Sequence, residues 1–348
     1  MPQSNPNVNR RFLLKQRPSG RIKAADFDFV EAAVPAPGPG EVLVRTLYIS
    51  MEPIYRLWMT DTDHDLPPVK LGDVVRGVGL GRVVASNAEQ WKPGDLAGGM
   101  FGWQDYAVVP PPGVARMSRI RSDLPVPLTT MLGACGSTGF CAYFGLLDIG
   151  RPKPGETVVI SAAAGAVGSV AGQIAKIKGC RAVGIAGGPD KCRLLTEELG
   201  FDAAVDYKRA DWRDALAAAT PNGIDVNYEN VGGEIMDAVI ERMNHGGRVV
   251  LCGLITGYNE GARRNGHLQV LGNFIPIFTH RLRIEGFVFT DFAPRFPEAV
   301  AQLAQWVAAG QIKPRETIVE GLEHTPEALN RLFDGGNVGK LLVKVAEP

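Results

Sequence analysis

Hydrophobic positions along the chain follow two rhythms. Up to about residue 130 they fall in short runs broken by glycine and proline: EVLVRTLYISM at 41–51, VVRGVGLGRVVAS at 74–86 and YAVV at 106–109. Short β-branched runs between turn formers predict a compact all-β region. From Thr157 onward such runs alternate with stretches of helical period, which predicts βαβ units and a parallel sheet. Six strands are expected, at 157–162, 181–186, 203–207, 224–230, 248–253 and 282–289. Between the first two, Val167, Val170, Ala171, Ile174 and Ala175 recur at helical spacing and Gly179 stands at the helix end. Residues 190–199 read as a second helix stopped by Gly200. A helical PEAVAQLAQWVAAG and a strand-like KLLVKV remain after Phe289. Six strands already complete a doubly wound sheet, so this tail is expected to pack back on the β region. The fold class is therefore α/β: a β domain over 1–130, a doubly wound parallel six-stranded sheet over 131–293, and a return to the first domain over 294–348.

Composition acts by exclusion. A chain of 348 residues, 45% hydrophobic and 21% charged, is ordinary for a soluble protein of about two domains. Lys plus Arg total 37 and Asp plus Glu total 37, so no surplus charge draws it to nucleic acid or an anionic membrane, and neither is expected as a partner. The opening MPQSNPNVNRRF has no apolar signal-peptide core, and no run of about 18 apolar residues lacks charge, so a cytoplasmic location is expected. Cys135, Cys141, Cys180, Cys192 and Cys252 include no C-x-x-C pair. His64, His245, His267, His280 and His324 show no ligand spacing. No metal is expected; a site assembled from distant residues is the alternative.

Chemistry enters at SAAAGAVGS, residues 161–169, which follows a buried strand and opens a helix. Aligned to G-x-G-x-x-G it presents Ala163, Gly165 and Gly168, with alanine in the first glycine's place. Gly165 would admit a pyrophosphate close to backbone, Gly168 would let helix and strand pack, and the helix N-terminus would offer N–H groups to the anion. A ligand-free turn of small residues is the alternative; six strands favour a dinucleotide. An NAD site usually has an acid at the end of the second strand, but Gly187 and Gly188 fill that place. Lys191 follows just beyond, and Tyr207 ends the third strand. The missing acid and nearby cation favour NADP, against a solvated lysine and a half-buried sheet-end tyrosine.

PGPGEVLVR at 37–45, FGWQDYAV at 101–108, AYFGLLDIG at 142–150, KPGETVVISAAAGAVGS at 153–169, NVGGE at 230–234, CGLITGYN at 252–259 and NVGKLLVKV at 337–345 occur together. The combination resembles the medium-chain dehydrogenase/reductase superfamily, and within it the zinc-free NADP-dependent alkenal/one oxidoreductases, a branch that includes prostaglandin or leukotriene reductases and curcumin-reductase-like enzymes. The resemblance implies a GroES-like β domain for substrate, a Rossmann domain for NADPH, and an active site in the cleft they share. It implies that Gly165, Ala166 and Val167 line the pyrophosphate and that Lys191 and Tyr207 bind the 2′-phosphate. Asn230, Val231 and Asn337 would hold the nicotinamide half, with Cys252, Tyr258 and Phe287 as further cofactor contacts, and Tyr258 would also face the substrate. The branch's S-x-D-P-Y-M-R motif is altered here: Ile54 takes the tyrosine's place and Tyr55 follows, before Arg56. Ile54, Tyr55 and Arg56 are the substrate-side candidates. G-M-P-G-L-T-A-Y has become GSTGFCAY at 136–143. The plainer alternatives are a surface ion pair for Arg56, a loop anchor for Tyr258 and turn caps for Asn230 and Asn337.

The superfamily's alcohol dehydrogenases use zinc on the carbonyl oxygen, and the cysteine and histidine set for that role is lacking. Chemistry that avoids a free alkoxide fits: hydride to the β-carbon of an enone or enal leaves an enolate that hydrogen bonds can stabilise. Tyr258 and the ribose 2′-hydroxyl would bond its oxygen, and Tyr258 or water would supply the α-proton. Tyr55, Trp58, Trp103, Phe274 and Phe278 suggest a hydrophobic substrate, with core packing as the alternative. A quinone reductase and a non-catalytic NADP-binding protein are the competing functions. The resemblance also implies a homodimer, paired through a sheet edge at RIEGFVF or RVVLCG.

Overall fold

Antiparallel pairing prevails where the apolar runs are short and rich in glycine. The computed structural model describes residues 7–61, 66–110, 117–121, 123–259, 263–264, 267–268 and 272–348; His64 lies outside them. Two compact units form: Met1–Leu124 with Thr317–Gly336 and Leu341–Pro348, and Pro125–Glu316 with Asn337–Lys340.

In the first unit a seven-stranded sheet runs in the order 316–320, 340–344, 42–50, 78–86, 96–100, 117–119, with 106–109 also paired to 42–50. Register shifts at Leu43/Val44 and Thr46/Tyr48 coincide with a tight approach of Gly81, where a Cβ would sit 2.6 Å from the Arg45 carbonyl oxygen. Only glycine permits that spacing. Tyr55, Trp58 and Trp103 are 1%, 5% and 0% exposed and belong to this unit's core, so the packing alternative holds for their rings. Phe274 and Phe278, by contrast, are 65% and 84% exposed in the second unit.

The second unit is a parallel sheet of six strands: β1 (Thr157–Ile160), β2 (Arg181–Ala186), β3 (Ala203–Asp206), β4 (Ile224–Glu229), β5 (Met243–Leu251) and β6 (Arg283–Gly286), in the order β3-β2-β1-β4-β5-β6. Val158, Val159 and Ile160 are wholly buried, as expected for a central strand covered on both faces. The helices are α1 (Ser137–Phe144), α2 (Ala166–Ile177), α3 (Pro189–Arg193), α4 (Trp212–Ala219), α5 (Gly233–Ile240), α6 (Thr256–Asn259), α7 (Ile275–Thr279) and α8 (Phe296–Ala308). The predicted apolar stripe of α2 is buried at Val170, Ala171, Ile174 and Ala175, and Gly179 ends the helix at φ +77. The helix expected over 190–199 is α3 followed by a wider π-type turn over Leu194–Glu198, with Gly200 at φ +74. The tail divides: α8 stacks Phe296 on Phe140 of α1 at 4.4 Å, whereas 316–320 and 340–344 join the antiparallel sheet. RVVLCG belongs to β5, which is hydrogen-bonded on both sides, so of the two segments named as edges only RIEGFVF, in β6, is one. That corrects the expectation for 248–253.

Candidate dinucleotide site

The strand order reverses between β1 and β4, and in open α/β sheets ligands bind at the carboxyl ends of strands at such a switch point. The turn after β1 is built from small residues for a visible reason. Ala162 takes a left-handed φ of +48, the Gly165 N–H donates to the Ala162 carbonyl at 2.9 Å, and Gly165 caps α2 in extended conformation. A Cβ on Gly168 would lie 2.5 Å from the Ala162 oxygen and 2.9 Å from the Ala163 Cα, so glycine is what lets α2 reach the turn. Ala163 is fully buried, and its N–H donates to Ile185 at 3.0 Å. The positive φ falls one residue earlier, so alanine in the first glycine's place carries no strain. Gly165, Ala166 and Val167 are half-buried at the open end of the helix, where first-turn N–H groups lack intrahelical acceptors. The segment carrying Asn337 is laced to this turn: Gly339 donates to the Ala164 carbonyl at 2.8 Å, and the Asn337 amide donates to the Gly339 carbonyl at 2.8 Å.

At the ends of β2 and β3, Gly187 lies against Tyr207 and Lys208: a Cβ there would be 2.9 Å from Tyr207 Cε1 and 2.9 Å from Lys208 Cε. The next loop is fixed by Asp206, whose carboxylate accepts the Gly188 and Lys208 N–H groups at 2.7 and 3.0 Å. Burial lowers the affinity of Lys191 for its proton, and the positive charge of Lys208 lowers it further. The two lysines are thus close enough for their charges to repel, beside a glycine where an acid would stand. The sequence reading missed Lys208; the signal was its place directly after Tyr207.

On the other side of the switch point the β4 end carries two loops. The Asn230 N–H donates to Ser161 Oγ and its side-chain amide to the Ser161 carbonyl, both at 2.8 Å. Cys252 and Gly253 donate to the Glu229 carbonyl at 2.9 and 3.1 Å, Ile255 to that of Asn230 at 3.1 Å, and Thr256 to that of Val231. Tyr258, half-buried on α6, accepts the Leu254 N–H at its hydroxyl oxygen at 3.4 Å. Phe287 crosses Gly145, where a Cβ would be 2.6 Å from its ring. Tyr228 beneath donates to the Cys141 carbonyl at 2.6 Å, and burial holds its hydroxyl well above the ordinary tyrosine range. The second unit thus brings the ten cofactor candidates from 165 to 252, with Tyr258, Phe287 and Asn337, to the carboxyl end of one sheet.

Residues 10–117 match the family model for the N-terminal domain of oxidoreductases, and residues 166–307 match that of zinc-binding dehydrogenases. The NADPH-dependent curcumin reductase of Escherichia coli is 42% identical over 339 residues, 97% of either chain. The chain belongs to the zinc-free alkenal/one oxidoreductase branch of the medium-chain dehydrogenase/reductase superfamily. The NADP(+)-dependent 2-alkenal reductase of Nicotiana tabacum is 36% identical, covering 97% of this chain and 98% of its own. The crystal structure of CurA from Vibrio vulnificus in complex with NADPH superposes with a TM-score of 0.90 at 39% identity, covering 97% of this chain and all of that one.

Measured against this oxidoreductase branch, the altered substrate-side motif is firmly built into the first unit. The Tyr55 hydroxyl donates to the Ser50 carbonyl at 2.8 Å and accepts the Val78 N–H at 2.7 Å; burial holds it well above the ordinary tyrosine range. Arg56 is 4% exposed rather than part of a surface ion pair, and its guanidinium donates to the Gly20 and Pro18 carbonyls at 3.0 Å each. Ile54 is half-buried against the same core. Among the described residues no group of three or more His, Cys, Asp or Glu side chains is placed to hold a metal ion. The close-approach turn and the paired lysines fit a phosphorylated dinucleotide.

Proposed function

We propose that this protein uses NADPH to reduce the C=C bond of α,β-unsaturated ketones and aldehydes. Similarity along 97% of the chain to reductases named for NADPH-dependent curcumin and NADP(+)-dependent 2-alkenal reduction carries the reading. When bound, NADPH supplies a hydride from nicotinamide C4. Gly165, Ala166, Val167 and Gly168 receive the pyrophosphate; Gly187 leaves room for a 2′-phosphate held by Lys191, Tyr207 and Lys208. Asn230, Val231, Cys252, Phe287 and Asn337 enclose the nicotinamide half. In the substrate, the β-carbon gains the hydride, the C=C π bond breaks, and the electron pair moves to the carbonyl oxygen as an enolate. Tyr258 donates its O–H to that oxygen, and a proton from Tyr258 or water then completes the α-carbon. Ile54 contributes an apolar contact for a hydrophobic enone or enal, with Tyr55 and Arg56 fixing its segment from beneath.

We further propose that the first unit, which takes back only 317–336 and 341–348 of the tail rather than all of 294–348, serves as the substrate domain and the second as the cofactor domain, and that the enzyme works in the cytoplasm as a homodimer. Among the described residues no helix is long and apolar enough to cross a membrane. The deciding experiment is Tyr258→Phe on a simple enone. Loss of an oxyanion donor typically costs about a hundredfold in turnover, and the affinity for NADPH should stay near wild type. Unchanged turnover would remove Tyr258 from the chemistry, and a wild-type protein that oxidises no NADPH across an enone and enal panel would refute the reaction itself.

A further inference from the structure

Glu229, the last residue of β4, is fully buried and belongs to none of the roles above. Its Oε1 accepts three hydrogen bonds, from the Ser161 hydroxyl at 2.8 Å, the Val231 N–H at 2.6 Å and the Gly232 N–H at 2.8 Å. Its Oε2 accepts the Asn227 side-chain amide at 3.0 Å. All four neighbours donate, so the group is met as an acceptor-only carboxylate. A wholly buried carboxylate with no cation among these partners is costly unless its donors are held in place. Part of the compensation is the N-terminus of α5, which Gly232 caps.

Those donors lie at the centre of the nicotinamide end. Val231 and Gly232 turn their N–H groups inward to Glu229, which fixes the peptide planes of the 230–232 turn. The backbone carbonyls of Glu229, Asn230 and Val231 in turn carry Cys252, Gly253, Ile255 and Thr256, the loop that leads to Tyr258. Ser161, the third partner, both donates to Glu229 and accepts the Asn230 N–H, tying the end of β1 to the same turn. One carboxylate thereby links the ends of β1, β4 and, through the backbone, β5.

We propose that Glu229 is a positioning residue: it holds the 230–232 turn, and through it the Tyr258 loop, in the shape that receives the nicotinamide half. This rests on the NADPH reading above. It acts on one half of the cofactor only, because Lys191, Tyr207 and Lys208 lie at the ends of other strands. The test is therefore a split between two ligands of the cofactor-free protein. In Glu229→Gln the Oε1 position keeps a neutral acceptor, and the new amide can donate to Asn227 Oδ1, which otherwise lacks a partner, once the Asn227 amide turns over.

Charge-assisted bonds are about twice as strong as neutral ones, so weakening three of them should reduce NADPH affinity about tenfold while 2′,5′-ADP, which occupies only the adenosine end, binds as in wild type. Amide exchange at Val231 and Gly232 should quicken in the same variant. Equal NADPH affinity in variant and wild type, or equal loss of both ligands, overturns the proposal. Should Glu229→Gln not fold, Glu229→Asp keeps the charge but draws it back by one methylene from the Val231 and Gly232 N–H groups. A smaller loss confined to NADPH supports the role, and no loss overturns it. Wild-type enone turnover is measured alongside: its absence refutes the reductase reading, while the ligand split still decides the part played by Glu229.

Discussion

Lys191→Ala gives the sharpest test of the cofactor geometry, because it should separate two cofactors that differ by one phosphate. Lys191 is half-buried, and burial together with the Lys208 charge disfavours its ammonium form. The negative charge of a 2′-phosphate would favour the ammonium form and offset both effects. A hydrogen bond to a charged group at such a site is worth about 1.5–3 kcal/mol; taking about 2 kcal/mol predicts roughly a thirtyfold loss of NADPH affinity. Lys208 is exposed, where an ion pair contributes about 0.5 kcal/mol, so Lys208→Ala should cost only about twofold. The two changes should combine to less than their sum, since removing either lysine relieves the other of a repulsive neighbour. NADPH and NADH are titrated by the fluorescence of their reduced rings, at low salt and again at about 0.5 M, where screening shortens the reach of these charges. NADH affinity should be indifferent to both substitutions and nearly indifferent to salt. If Lys191→Ala weakens NADH as much as NADPH, or neither, the phosphate does not lie beside Lys191 and the assignment of this end of the site fails.

Three other outcomes follow from the same geometry. Gly187→Asp should exchange the preference toward NADH, because the new carboxylate would repel a 2′-phosphate and accept a ribose hydroxyl; the atoms nearest its Cβ belong to the side chains of Tyr207 and Lys208, and steady-state kinetics with both cofactors reads the change. Gly168→Ala should instead weaken NADPH and NADH alike and lower the unfolding temperature, at a cost of about 1–3 kcal/mol for overpacking, because the atoms nearest its Cβ are backbone of Ala162 and Ala163, which cannot swing aside. Burial pushes the Glu156 carboxyl up, but the Arg248 guanidinium at 2.5 Å and the Lys153 N–H outweigh it and hold the group below the ordinary glutamate range. That contribution is present above the ordinary range and disappears as pH falls through the lowered value, so Glu156→Gln should flatten the acid limb of a melting-temperature profile between about pH 7 and 3.

The parallel sheet was legible because strands buried on both faces read as continuous apolar runs, as TVVI and RAVGIA do. The signal failed where burial did not write it. β5 begins at Met243, five residues before the expected start, since its first half is MNHGG, with no apolar rhythm to read. At the turn, alignment to a glycine pattern pointed to Ala163 as the departure, whereas the backbone places the unusual φ at Ala162. Lys208 escaped notice because its relation to Lys191 exists only once β2 and β3 lie side by side. Glu229 is the deepest case: inside IDVNYEN it looks like a polar strand end, and its hydroxyl partner, Ser161, is 68 residues away. Residues that bind a ligand through local backbone shape can be read from one segment, but those that hold two segments together cannot.

The altered segment at 136–143 shows what such a distinction means for specificity. A Cβ on Gly136 would overlap the Met131 carbonyl oxygen, and one on Gly139 the Ala134 carbonyl oxygen. Both glycines of the G-M-P-G pattern are therefore demanded by the packing of α1, whatever the substrate. Of the four replaced positions, Thr138 is buried with its hydroxyl donating to the Gly133 carbonyl at 2.9 Å, and Phe140 is buried in its stack on Phe296. These two side chains are committed to the protein and can alter a substrate's fit only by shifting α1 as a body. Ser137 and Cys141 are half-buried, so their side chains are less committed to the packing of α1. Cys141 also offers its carbonyl to the hydroxyl of Tyr228, which precedes Glu229 in β4. A change at 141 that moves the backbone would therefore disturb the hydrogen bond of Tyr228, whose neighbours in the chain, Glu229 and Asn230, stand at the end of β4.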